Sequence, residues 1–164
     1  MLTIDEIDVR GTVEDCFRAG ADVENWPRIL PHYRWVRFQE KEGFGTGRVE
    51  MAARREFGPL PYPVWWVSRM RLDEEGPRVL YHHVDGVTTG MDVEWSFHTV
   101  DAQTTRIRIV HDWDEGPAWP LPRPGRRLIA DRIIGPVFIH NVAGRTLAGI
   151  RRHVESGARR ESAA

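Results

Sequence analysis

The feature that most constrains the fold is a succession of extended segments between Tyr33 and Glu115, in which apolar and polar side chains alternate. Turn residues interrupt them at positions 42–43, 58–59, 75–77, 85–86 and 101–103. Because neighbouring side chains in a strand point to opposite faces, this spacing predicts an antiparallel meander of about six strands. Residues 2–10 alternate in the same way, so we expect about seven strands in all.

Helical patterns flank these strands on both sides. Thr12 opens a short helix with Asp15 as a partial capping box, and Asp22 opens a second short segment that ends before Pro31. After a proline-rich stretch, residues 126–155 return to helical steps of three and four, and Pro136 should kink this helix. The predicted apolar stripe comprises Ile129, Ile133, Val137, His140, Gly144, Leu147, Ile150 and Val154.

A long sheet with one long amphipathic helix predicts an α+β fold, in which the sheet curls and the helix lies across its concave face. Such a sheet seldom closes completely, and the gap becomes a pocket. No repeat or linker divides the chain, so we expect one domain over residues 1–156 and a disordered tail over 157–164. The loops at 58–63 and 117–124 should frame the entrance, where Trp119 serves either as a lid or as surface packing.

The contents of the pocket follow from the alternation within each strand. In VWWVSRM at residues 64–70, Trp65 shares a face with Arg69 and the later Arg71, and this face must meet water. Trp66 therefore points inward. We expect the ligand-binding side chains to be Trp26, Trp66, Ser68, Met70, Met91, Trp95, Ile109 and Trp113.

Histidines interrupt the apolar stripes: His111 on a strand and His140 on the long helix. His83 joins them if Val79, Tyr81 and His83 form the inner face, although Leu80, His82 and Val84 fit that face almost as well. A desolvated histidine needs a hydrogen-bond partner, and each of these alone can simply cap a polar group of the core. Two or three that converge on one cavity favour a functional role.

Several classes of function are disfavoured by composition. The net charge of −1 provides no field that attracts nucleic acid or an anionic membrane, and no apolar run approaches the length of a membrane span. Cys16 is the single cysteine, which rules out an internal disulfide, and the N-terminus lacks signal-peptide features, so we expect a cytoplasmic protein. Asp112, Asp114 and Glu115 are expected to be solvated, and no zinc-ligand spacing occurs, so neither a metal nor a cofactor is predicted.

The segment DVENWPRILPHY at residues 22–33 resembles the second-helix segment of the START-like, or SRPBCC, superfamily. More narrowly, VENWP, Tyr33, the WVS at residues 66–68, and MDVEW with Trp95 resemble the single-domain aromatase/cyclases of bacterial aromatic polyketide synthesis. The likeness spans residues 2–155. It implies a helix-grip fold, in which the curved sheet wraps around the C-terminal helix. It also implies a deep cavity that folds a poly-β-ketone chain and catalyses aldol closure and dehydration of the first ring.

The chain departs from this family at the residues that matter most for catalysis. The resemblance places the key arginine of those cyclases at Met70, and it places His83 and His111 where they carry an arginine and a glutamine. Tyr33 matches the tyrosine implicated in their reaction. Aldol closure requires removal of a proton from carbon and stabilisation of the developing oxyanion, which a methionine cannot provide and a histidine can.

Two functions therefore remain open from the sequence. The first is a cyclase or dehydratase, with His111 as general base and Tyr33, His83 or His140 polarising a carbonyl, and with an acyl-carrier protein as a partner. The second is a non-catalytic carrier or sensor of a lipid, an isoprenoid or an aromatic product, without stable membrane insertion. Trp65 raises a further hypothesis, a homodimer in which a second copy covers the indole, although the stems of the flanking arginines can also cover it.

Overall fold

The computed structural model describes residues 1–57, 60–73, 75–117, 120 and 122–161. Seven strands form one antiparallel sheet in the order β1-β7-β6-β5-β4-β3-β2. The strands are β1 (Leu2–Arg10), β2 (Tyr33–Gly43), β3 (Thr46–Phe57), β4 (Leu60–Asp73), β5 (Arg78–Gly86), β6 (Asp92–Asp101) and β7 (Thr104–Asp112). The predicted meander of six strands plus a first strand is confirmed. Gly58, Pro59 and Trp119 of the predicted entrance loops lie outside the described residues.

Two short helices follow the first strand, as the sequence predicts. They are α1 (Val13–Ala21) and α2 (Trp26–Ile29), with a 3₁₀ turn at Val23–Asn25 between them. Thr12 caps α1, because its hydroxyl oxygen accepts a hydrogen bond from the backbone N–H of Asp15 at 3.1 Å. Its hydroxyl donates in turn to the Asp15 carboxylate at 2.6 Å, so the two residues bind each other as a capping pair.

The C-terminal helical run begins earlier and ends later than the sequence predicts. It consists of α3 (Arg123–Ile129), a π-helix (Ala130–Ile139) and α4 (His140–Glu161). The π-helical turns contain the predicted kink position, Pro136, which has no N–H to donate. Residues 157–161 are helical, which differs from the disordered tail expected from residue 157, and residues 162–164 lie outside the described chain.

The inner face of the sheet carries the core, and α4 packs on β1 and on α1. The curved sheet thus wraps around the long helix, which confirms the α+β helix-grip architecture. Alternation along β4 holds as predicted: Trp66 is half-buried on the inner face, whereas Trp65 stays 46% exposed on the outer face beside the exposed Arg69. No helix in the described part of the chain combines the length and apolarity that crossing a membrane requires.

The buried face of α4 is rotated slightly from the predicted stripe. Its buried residues include Ala143, Thr146, Leu147, Ile150 and Val154, whereas His140 and Gly144 are exposed. The sequence-based stripe followed apolar and aromatic residues and passed over the small Ala143 and the polar Thr146, which lie nearer its centre. This rotation moves His140 to the edge of the packed face.

Candidate functional site

A cavity lies between the inner face of the sheet and the beginning of α4. The centre of a water-sized sphere can occupy about 70 Å³ of it, and the empty volume is about 650 Å³ when the gaps between wall atoms and the open mouth are counted as well. Strands β2 to β7, α2, the β5–β6 turn and the helical segment around Ile139 contribute to its wall. The lining residues are Trp26, Tyr33, Met51, Val64, Trp66, Tyr81, His83, Val87, Thr88, Met91, Val93, Trp95, Ile109, His111, Ile139, Val142, Ala143 and Thr146.

Four aromatic residues form a connected wall in this cavity. The Trp26 ring lies 5.1 Å from Tyr33 and 5.4 Å from Trp95, measured between ring centroids. The Tyr33 ring lies 6.2 Å from Trp66. Trp26 is fixed because its indole N–H donates to the carbonyl of Ala19 at 3.1 Å. These rings offer large, rigid apolar surfaces of the kind that line small-molecule sites.

His83 lies deep in the wall, next to Trp66. The two rings are stacked, with 6.1 Å between centroids and 14° between planes. Burial, followed by the nearby His111 and His82, lowers the pKa of His83 to about 3, so its imidazole is neutral near pH 7. Its Nδ1 lies 2.6 Å from the Thr88 hydroxyl, so when that hydroxyl donates to Nδ1, the ring proton is on Nε2.

His111 occupies the opposite side of the same polar region, on β7. It is half-buried and lines the cavity, and its Nδ1 lies 3.3 Å from the hydroxyl of Thr3 on the neighbouring strand β1. Thr3 is buried, so this contact orients the imidazole from outside the cavity. His83 and His111 are thus the pair of histidines that the fold brings to one cavity.

A second fully buried histidine, His32, supports the wall from behind and was not predicted as a functional residue. Its Nε2 lies 2.9 Å from the hydroxyl of Thr146, a cavity residue on α4. That hydroxyl donates to the Val142 carbonyl at 2.8 Å, so it accepts the N–H of His32. Burial, together with the charges of Arg145 and Arg152, lowers the pKa of His32 to about 4. The only available signal was its position beside Tyr33, whose ring it contacts at 4.8 Å.

Eight of the twelve sequence-predicted site residues line the cavity. They are Trp26, Tyr33, Trp66, His83, Met91, Trp95, Ile109 and His111. Ser68, Met70 and Trp113 are buried but lie outside the lining, where Met70 and Trp113 belong to the hydrophobic core. Alternation fixes the face of a strand on which a side chain lies, but not how far along that face the cavity extends.

The placement of His140 in the cavity requires correction. Its Nδ1 lies 2.7 Å from a carboxylate oxygen of Asp5 on β1, and its side chain is exposed rather than part of the lining. The cause is the rotation of the α4 face described above. His140 therefore joins α4 to the first strand and does not take part in the polar region around His83 and His111.

Over its described residues, the cavity lining carries no acidic or basic side chain other than its histidines. Arg69 and Arg71, which flank Met70 in sequence, are both exposed on the outer face, so neither contributes a charge to the cavity wall. Among the described residues, no group of three or more His, Cys, Asp or Glu side chains is placed to hold a metal ion. The site therefore combines aromatic surfaces, hydroxyl groups and neutral imidazole.

Comparisons with known proteins agree with the fold of the chain. The family described as polyketide cyclase/dehydrase and lipid transport matches residues 9–137. The di-domain ARO/CYC protein BexL, from the BE-7585A biosynthetic pathway, superposes with a TM-score of 0.70 at 26% identity over 94% of this chain. This chain covers 46% of BexL, about half of its length.

Two further solved structures share the fold. The Zhui aromatase/cyclase from Streptomyces sp. R1128 superposes with a TM-score of 0.69 at 19% identity, covering 94% of this chain and 93% of that chain. A START superfamily protein from Mycobacterium smegmatis superposes with a TM-score of 0.68 at 12% identity, covering 94% of this chain and 97% of that chain. A comparison with curated protein sequences found no match.

Proposed function

The chain belongs to the polyketide cyclase/dehydrase and lipid transport family, and we propose that it binds an aromatic or polyketide-like small molecule between its sheet and α4. The observation that carries this proposal is the connected aromatic wall of Trp26, Tyr33, Trp66 and Trp95, which faces a cavity with His83 and His111 as its polar centre. Flat unsaturated ligands gain most from such a wall, because they stack on it and displace water from apolar surface.

We propose further that the polar centre supports aldol cyclisation and dehydration. His111 acts as the general base, removing a proton from a carbon that lies between two carbonyl groups. His83 suits a different role, because a base with a pKa of about 3 is weak, whereas a neutral imidazole N–H can donate to a carbonyl oxygen as it becomes an oxyanion. Tyr33 lines the same cavity and can donate to a second oxygen of the substrate.

A non-catalytic carrier or sensor is the second candidate, and one observation favours it. Met70 stands where the resemblance places the key arginine, and it is buried outside the cavity lining, while Arg69 and Arg71 point to solvent. Since the described wall residues include no lysine or arginine, oxyanion stabilisation by them depends on hydrogen bonds alone. A carrier of an uncharged aromatic or isoprenoid molecule needs none of these catalytic groups.

His111→Ala distinguishes the two candidates. For a cyclase, we expect this variant to lower turnover of a poly-β-ketone thioester at least about tenfold, the low end for one acid–base group, with a smaller change in affinity. Product formation is measured by liquid chromatography, and His153→Ala, which removes an exposed histidine from α4, is the matched control. A wild type without turnover would favour the carrier, whereas unchanged turnover in His111→Ala, or equal losses of affinity and turnover, would contradict the role of His111 as general base.

Native mass spectrometry of the purified protein tests ligand binding itself, because a molecule retained in the cavity adds its mass to the chain.

Two further expectations remain predictions. One is an acyl-carrier partner, which would deliver a tethered substrate, and the other is a cytoplasmic location, which is expected from the single cysteine Cys16.

A further inference from the structure

The hydroxyl group of Tyr81 is a donor that the proposed chemistry leaves unused. Tyr81 lies on β5 two residues before His83, its side chain is only 6% exposed, and it lines the cavity. Its hydroxyl oxygen is buried, with no hydrogen-bond partner among the described residues. Buried polar groups are nearly always paired, so an unpaired phenol in a cavity wall requires an explanation. A partner supplied by a ligand is one.

The surroundings of Tyr81 define the kind of partner it can take. Burial, with a further contribution from Tyr33, raises the pKa of Tyr81 well above its usual value, so the phenol keeps its proton and acts as a donor. Its cross-strand partners are Met70 on β4 and Val93 on β6, which offer no side-chain acceptor except the weakly accepting Met70 sulfur. In the part of the chain that the structure describes, no lysine or arginine lines the cavity to neutralise an anion. The fitting acceptor is therefore an uncharged oxygen.

We propose that Tyr81 is a specificity-determining residue whose hydroxyl donates to a carbonyl oxygen of the ligand, so that the cavity selects uncharged aromatic ketones over hydrocarbons of the same shape. The inference rests on the proposed function, since it requires an aromatic ligand in this cavity. It deepens that function by assigning the polar contact to one residue and one functional group. The apolar wall supplies affinity for the rings, and Tyr81 supplies the preference for the carbonyl.

A matched pair of probes isolates this contact. 1-Tetralone and tetralin share one bicyclic framework and differ by a single carbonyl group, and neither is charged. Isothermal titration calorimetry of the wild type should give tighter binding of 1-tetralone. Tyr81→Phe should weaken 1-tetralone binding by about tenfold, equivalent to about 1.4 kcal/mol, and change tetralin binding by less than about twofold.

Thr99→Val is the control, because it removes a hydroxyl group from an exposed residue on the neighbouring strand β6, outside the cavity lining. It should leave the preference of the protein for 1-tetralone over tetralin in place. Retention of that preference in Tyr81→Phe, or its loss in Thr99→Val, would overturn the inference.

The melting temperature of the ligand-free protein provides a second test. A purely structural role of the Tyr81 hydroxyl predicts a lower melting temperature for Tyr81→Phe, whereas the proposed role does not. A tyrosine hydroxyl that holds the fold together loses a hydrogen bond when it is removed, which lowers the melting temperature. Removal of an unpaired buried hydroxyl relieves the cost of its desolvation. Tyr81→Phe without ligand should therefore melt at the same temperature as the wild type or higher, and a clearly lower melting temperature would overturn the inference.

The outcomes also separate this inference from the function on which it rests. If the wild type binds neither probe, the proposed aromatic cavity function fails, and the inference fails with it. If the wild type binds tetralin and 1-tetralone equally well, the cavity function stands and the role of Tyr81 is overturned. A tetralone preference that Tyr81→Phe abolishes and Thr99→Val retains supports both.

Discussion

At the scale of single residues, the buried histidines have different tasks that follow from their hydrogen bonds. His32 donates to Thr146 and is thereby part of the scaffold behind the aromatic wall. His83 contacts Thr88 inside the cavity, and His111 contacts Thr3 at its side. Each imidazole thus has a threonine hydroxyl beside it, which orients the ring without adding charge.

The depressed pKa of His32 makes stability depend on pH. Its pKa is about 4 in the folded protein and about 6.5 when unfolded, so between these values the unfolded chain binds the extra proton, and stability falls as the pH falls through this window. From pH 7 to pH 5 the loss from such a histidine is about 2 kcal/mol.

His32→Gln, which keeps an amide N–H near Thr146, should therefore show a smaller loss of unfolding free energy than the wild type over this range, as measured by urea denaturation at each pH. The difference between the two proteins should be constant above pH 7.5. An equal loss from pH 7 to pH 5 in both proteins would contradict the assignment of this dependence to His32.

The sequence predicted which face of the sheet several strand residues occupy, and its errors about the cavity lining have a physical pattern. Strand residues such as Trp66, Trp95 and His111 were placed correctly because alternation fixes the face of a strand. His140 was misplaced because a helix face is a broad arc, on which a residue at the edge satisfies the same spacing as one at the centre. His32 lies in a turn, where no periodicity identifies the buried side chains.

At the scale of elements, the C-terminal helix closes the cavity and anchors the fold at its other end. Its first turns contribute Val142, Ala143 and Thr146 to the cavity wall. Further along, Ile150 and Val154 are buried in the core. The sequence predicted one kinked helix here, but not the ten π-helical residues from Ala130 to Ile139, because propensity does not distinguish wide turns from a proline kink.

Two glycines on this helix should respond in opposite ways to the same substitution. A Cβ built at Gly149 lies 2.1 Å from the Cδ2 atom of Leu30, a fully buried residue, whereas a Cβ at Gly144 meets no atom within 4 Å. Gly144→Ala should raise the free energy of unfolding by roughly 0.5–1 kcal/mol through helix propensity. Gly149→Ala should lower it by about 1–3 kcal/mol, because the overpacking exceeds that gain.

Chemical denaturation of the two variants beside the wild type measures both changes in the free energy of unfolding in one experiment, and each variant serves as the control for the other. Stabilisation by Gly149→Ala equal to that by Gly144→Ala would show that Leu30 moves aside freely and that α4 does not pack closely there.

At the scale of the whole molecule, the order of the strands was predictable and the closure of the cavity was not. Each turn joins sequential strands, so the meander follows from the spacing of turn residues, and β1 completes the sheet beside β7. The extent of the cavity, by contrast, depends on where α4 packs against the inner face of the sheet. Ser68 and Met70 lie on the predicted inner face of β4. They are buried by other side chains there and do not line the cavity. The position at which two elements pack cannot be predicted from the residue periodicity of either element alone.

The outer face of the sheet carries the last prediction, self-association through Trp65. This indole is 46% exposed, and its cross-strand neighbour Ala52 pairs in turn with Trp35. Arg34 lies over the Trp35 ring at 4.9 Å, so aromatic side chains and arginine are combined as in the cores of protein interfaces. We expect sedimentation of the wild type at high micromolar concentration to give a dimer and Trp65→Ala to remain a monomer.

Val100→Ala provides the control for this experiment, because Val100 is also 46% exposed but lies near the turn between β6 and β7. A general effect of removing exposed apolar surface would change the sedimentation of both variants, whereas loss of an interface centred on Trp65 would change the sedimentation of Trp65→Ala alone. Val100→Ala should therefore sediment like the wild type. A wild-type protein that stays monomeric over the whole concentration range would contradict the dimer, and the arginine-rimmed strip around Trp65 would then be ordinary solvated sheet surface.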